Sequence, residues 1–148
     1  MAQRILIGVD NSETAFRAAE KAASLAAAFG AELHVLSSFT VNLTQAVKHD
    51  QPDAYHRVES LYANNAVRTA DAVVEALRVH YQDLEIISKA REGTPAHALL
   101  NEAEQIDADV IVVGNKRVQG PTRFLGSIAR TIAAEAHCDL YLVNTRER

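Results

Sequence analysis

Between Gly114 and Ser127 the chain reads Gly-Asn-Lys-Arg-Val-Gln-Gly-Pro-Thr-Arg-Phe-Leu-Gly-Ser. This stretch holds three glycines and the cations Lys116, Arg117 and Arg123, with Arg130 following, and no Asp or Glu lies anywhere from 114 to 130. Those residue types suit an anion. Glycine lets a phosphate approach the backbone closely, and the start of a helix presents unpaired amides and a positive dipole end. The same letters also describe a capped turn with solvated basic side chains, because short glycine patterns recur by chance. A second segment, Gly8-Val9-Asp10-Asn11-Ser12, follows an apolar run. A carboxylate there can bond a ribose hydroxyl or help hold a metal ion, or Asp10 and Ser12 can simply cap the next helix.

These segments are useful only if the fold brings them together, and the periodicity says that it does. Ile5-Leu6-Ile7-Gly8-Val9 is a continuous apolar run, as in a strand covered on both faces. Ser12 then caps a helix on which Ala15, Ala18, Ala19, Ala22, Leu25, Ala26 and Phe29 fall on one face, closed by Gly30. Leu33–Leu36 reads as a strand and 41–53 as an irregular loop. A long helix follows over 53–81, with a stripe through Val58, Leu61, Tyr62, Ala66, Thr69, Val73, Ala76, Leu77 and His80.

Leu84–Ile87 reads as a third strand, and Thr94-Pro95 as a helix start with Thr as cap and Pro at the first helical position. Val110–Val113 is the strongest buried-strand signal. The basic loop then leads to Ser127, which caps a fourth helix through Ala136, and Leu140–Val143 forms a last strand. Five strands alternating with four helices predict a doubly covered parallel α/β sheet. In such sheets ligands lie outside the carboxyl ends of the strands, where the strand order reverses, which points to the loops after Val9, Leu36 and Val113.

The chain's 148 residues fit one domain, 1–148. Ala occurs 26 times and Trp not at all, which favours helices packed closely on a sheet. The net charge of −4 argues against a nucleic-acid-binding surface, and it averages a cationic 114–130 segment with a more acidic remainder. One cysteine, Cys138, excludes an internal disulfide and reads as a small buried hydrophobe. The opening Ile5–Ile7 run is too short for a signal core or membrane span, so the expectation is a cytoplasmic protein without a membrane partner.

Other chemistries lack their residues. There is no G-x-G-x-x-G after the first strand, no Walker loop and no acid cluster of a phospho-receiver. The histidines lack metal-ligand spacing, and only His49 falls in a predicted upper loop, which disfavours a hydrolase triad with Asp10 and Ser12.

Several segments together resemble the universal stress protein family: Ile5 to Ser12, Gly93-Thr94-Pro95, Ala108 to Gly114, Gly126-Ser127 and Cys138 to Val143. The resemblance covers nearly the whole chain. It implies a Rossmann-like strand order of 3-2-1-4-5, a homodimer through the last strand and a role in stress survival. One branch of the family binds ATP or another adenine nucleotide, here with Mg²⁺ as the accompanying ion, through a loop of glycine, two residues, glycine, nine residues and glycine-serine. Gly114 and Gly126-Ser127 match that loop. Arg117 replaces the second glycine, and only eight residues separate it from Gly126.

By this resemblance Asp10 meets the ribose, and Val9 and Ser38 border the adenine. Val113, Gly114, Gly126, Ser127 and Ile128 line the phosphates, and Lys116 and Arg117 supply side-chain charge. Such a protein is regulatory rather than catalytic, with slow hydrolysis at most. The altered loop also suits an alternative, an interaction module acting through its dimer surface and the 39–57 segment.

Overall fold

The computed structural model describes residues 3–41, 52–115 and 125–145. Five strands, β1 (Arg4–Gly8), β2 (Glu32–Phe39), β3 (Ile86–Glu92), β4 (Val110–Asn115) and β5 (Asp139–Asn144), alternate with four helices. These are α1 (Glu13–Phe29), α2 (Pro52–Arg78), α3 (Pro95–Ile106) and α4 (Ser127–Glu135). All strand pairs are parallel, and the sheet order is β3-β2-β1-β4-β5, as expected. The order reverses between β1 and β4, which places a crevice above the ends of those two strands.

Alternation along the strands divides the core in two. Ile5, Ile7, Leu33, Val35 and Val112 pack with α1 and α2, whereas Leu6, Leu36, Ile111 and Val113 pack with α3 and α4. The alanine surplus has its physical place on α1, where Ala18, Ala19, Ala22, Ala23 and Ala26 are fully buried. Side chains of one carbon let the helix backbone approach the sheet closely, and Ala adds little entropy cost. The helix ends as its sequence dictates: the Ser12 hydroxyl accepts from the Ala15 amide at 3.1 Å, and Gly30 takes the left-handed conformation with φ 65°.

Several boundaries differ from the expectation, each for a local reason. The third strand starts at Ile86, not Leu84, and runs on to Glu92. Its polar residues are tolerated because Glu102 of α3, with its side chain only 2% exposed, takes Lys89 at 3.0 Å and Arg91 at 2.9 Å. β2 likewise continues through Ser37 and Ser38 to Phe39. The long helix stops at Arg78, and Leu61, Tyr62, Ala76 and His80 lie exposed, while Ala66, Ala70, Val73 and Leu77 form its buried stripe. Phe29 is also exposed rather than packed.

Two caps change as well. Thr94 is the N-cap residue of α3 and Pro95 opens the helix, as expected, but the Thr94 hydroxyl pairs with His97 Nδ1 at 3.1 Å and makes no capping bond to a first-turn amide. Gly126, not Ser127, is the N-cap of α4, and Ser127 is its first helical residue. Cys138 is half-buried, with burial pushing its thiol above the usual range. Among the described residues no helix is long and apolar enough to cross a membrane.

Candidate functional site

A cavity of about 390 Å³ opens where β1, β2 and β4 end, at the reversal of strand order. That volume lies within the range of small-molecule pockets, about 300–1,000 Å³. Val9, Asp10, Ser38, Val113, Gly114 and Ile128, each expected from the sequence, all line it. Gly126 and Ser127, the cap and first residue of α4, do not line it, whereas Ile128, the next residue, does. Lys116 and Arg117 lie outside the described residues.

The walls are apolar toward the sheet. Leu36, Leu99 and Val112 close the inner end, with Ala15 and Ala18 on the α1 side. The cavity's polar side chains are Asp10, Ser12, Thr14, Ser38 and Thr145. Asp10 Oδ1 accepts the Ser12 amide at 2.7 Å, and the Ser12 and Thr14 hydroxyls lie 3.1 Å apart. The local turn therefore employs one carboxylate oxygen of Asp10, and capping and ligand contact are compatible roles for this residue. Three helices, α1, α3 and α4, contribute first-turn or cap residues to the lining: Ser12 and Thr14, Pro95, and Ile128. Converging helix N-termini make the mouth favourable to an anion.

Gly114 sits in a tight place. A Cβ built there would come within 3.1 Å of Thr145 Cγ2 and 3.3 Å of Ala18 Cβ. Gly126 differs: an added Cβ would meet nothing closer than Asn115 Oδ1 at 4.0 Å, and its φ of −61° suits any residue. Pro95, Leu99, Thr145 and Asn115 were not anticipated from the sequence. Pro95 and Leu99 had been read as helix-start and core residues, and only the strand order brings α3 over the end of β1. Among the described residues no group of His, Cys, Asp and Glu is arranged to hold a metal ion. His97 lies in the first turn of α3 but faces a neighbouring cleft with His137 and Cys138.

Comparison with known proteins agrees with this architecture. The universal stress protein family profile matches residues 1–144. A universal stress protein of Methanocaldococcus jannaschii is 26% identical over 147 residues, covering 95% of this chain and 81% of the relative. One from Mycobacterium tuberculosis is 28% identical over 145 residues, covering 95% of each chain. Among solved structures, a universal stress protein in complex with cAMP superposes with a TM-score of 0.68 at 26% identity, covering 97% of this chain and 98% of that one. A universal stress protein from Archaeoglobus fulgidus shares the fold, with a TM-score of 0.70 at 22% identity over 97% of this chain and 95% of the other.

Proposed function

Because this chain belongs to the universal stress protein family, we propose that it binds an adenine nucleotide, ATP with Mg²⁺ in the first instance, in the cavity above β1 and β4. The observation that carries this reading is the cavity itself: an apolar slot at the strand-order reversal whose mouth is ringed by three helix starts. The cAMP complex of a relative 26% identical supports an adenine ligand. In this reading the purine lies against Val9, Leu36, Ser38 and Leu99. The Asp10 oxygen that does not serve Ser12 takes a ribose hydroxyl. The phosphates extend past Val113 and Gly114 to the amides of Ser127 and Ile128, with Lys116 and Arg117 adding charge.

The role is regulatory. Asp10 is the one carboxylate among the described lining residues, and in this reading it serves a turn and a sugar, so no second carboxylate among those residues stands ready to activate water. The chain functions as a single cytoplasmic domain without nucleic acid or membrane partners, and pairs with a second copy through β5. The two sheet edges support that pairing. At the start of β3, Arg78 donates to the carbonyls of Leu84 at 3.4 Å and Ile86 at 3.2 Å, whereas β5 exposes Tyr141 and Leu142. Isothermal titration with ATP and Mg²⁺ tests the proposal: saturable heat is expected, and none at millimolar nucleotide refutes it.

A second reading, an interaction module acting through the dimer surface and the 39–57 segment, draws on Leu61 and Tyr62, exposed on α2 just beyond that segment. Excess absorbance near 260 nm in the purified protein, legible because Trp is absent, favours the nucleotide reading over this one.

A further inference from the structure

Asn115, the last residue of β4, joins three pieces of the site. Its backbone carbonyl accepts the hydroxyl of Thr145, a buried lining residue that follows β5, at 3.2 Å. Its side-chain Oδ1 accepts the amide of Gly126 at 3.3 Å. Gly126 has no side chain with which to cap α4, and its carbonyl already accepts the Arg130 amide at 3.0 Å. The N-cap residue is thus held from both sides, by Asn115 through its N–H and by its own helix through its C=O. The amides that follow, of Ser127, Ile128 and Ala129, belong to the first turn and have no acceptor within the helix.

We propose that Asn115 is a positioning residue for the anionic part of the ligand: it ties the start of α4 to the end of β4 and so sets where those three amides stand above Gly114. The inference rests on the nucleotide reading and deepens it. Residues 116–125 connect the two residues that this bond joins, so the bond holds the ends of that stretch together. A loop with Arg117 in place of glycine, and a changed length, can then still deliver the helix start to the same place.

The test compares ATP with adenosine by isothermal titration for the wild type, Asn115→Ala and Asn115→Asp, with thermal melting as a check on folding. Alanine removes the acceptor. Aspartate keeps the acceptor and with it the tie, adding only a negative charge. An unchanged ATP preference in that variant at low salt would show that the end of β4 does not stand beside the phosphates, which overturns the proposal even where the alanine variant does not fold. Each substitution is expected to lower the preference for ATP over adenosine, by roughly 2- to 10-fold for alanine, the range of one net hydrogen bond. The aspartate loss, taken relative to wild type, should shrink as salt rises, because added ions screen its charge. A general structural defect would weaken both ligands alike and leave the ratio unmoved, and that result overturns the proposal. An unchanged affinity for both ligands does the same. Wild-type protein that binds neither ligand overturns the nucleotide reading itself, and this inference with it.

Discussion

Replacing Glu102 by alanine should destabilise the protein by about 2–3 kcal/mol, and the size follows from who is left behind. The Glu102 side chain is 2% exposed, and one oxygen, Oε1, takes Lys89 at 3.0 Å and Arg91 at 2.9 and 3.2 Å. Breaking a buried ion pair generally costs about 3–5 kcal/mol, because a stranded charge remains in a poorly solvated place. Here the survivors are only partly buried: Lys89 keeps 47% of its side-chain exposure and Arg91 28%. Lys89 can turn to water, so Arg91 carries most of the penalty and the cost falls at or just below the low end of that range. Urea denaturation at neutral pH measures the loss as a shift in midpoint. If the stranded guanidinium is the cause, adding Arg91→Met to Glu102→Met should recover most of the stability that Glu102→Met alone loses. A double variant no more stable than the single one would refute the reasoning, and so would an alanine variant within about 0.5 kcal/mol of wild type, the range of an ordinary surface change.

Two further outcomes follow from the same contacts. Hydrogen bonds from His34 and then Arg4 hold the Glu32 carboxyl below its ordinary value of 4.5, so its contribution is complete above that pH and is lost as pH falls through the lower folded value. Glu32→Gln should therefore flatten the acid limb of a stability–pH profile measured by thermal melting; an acid limb as steep as wild type would count against the assignment. Gly114→Val should fill the cavity floor against Thr145 and Ala18, abolishing ATP binding in titration and lowering stability by about 1–3 kcal/mol through overpacking. Retained affinity would place the ligand elsewhere.

Much of the fold was legible because burial on both faces of a parallel sheet leaves long apolar runs, as in Ile5–Ile7 and Val110–Val113. β3 was misplaced because its charged residues are neutralised by Glu102, which lies on a different element and appears in the chain only as one more helical Glu. The long helix was overfilled for a related reason. Leu61 and Tyr62 keep the helical period of the stripe, yet they precede the part of α2 that reaches the sheet, and periodicity cannot say where a helix stops having a neighbour.

The site divides along the same line. Val9, Asp10, Val113 and Gly114 were found because a strand end announces itself in sequence, and topology then makes strand ends neighbours. Gly114 and Gly126 look equivalent as letters, but only one is crowded: Thr145 and Ala18 press close at Gly114, while Gly126 stands in open space with an ordinary φ. What Gly126 does contact is the side chain of Asn115, eleven residues earlier, which accepts its amide. In a glycine-rich phosphate loop attention falls naturally on the glycines. Here the residue beside the first glycine also counts, because Asn115 bonds Gly126 and so joins the two ends of the loop.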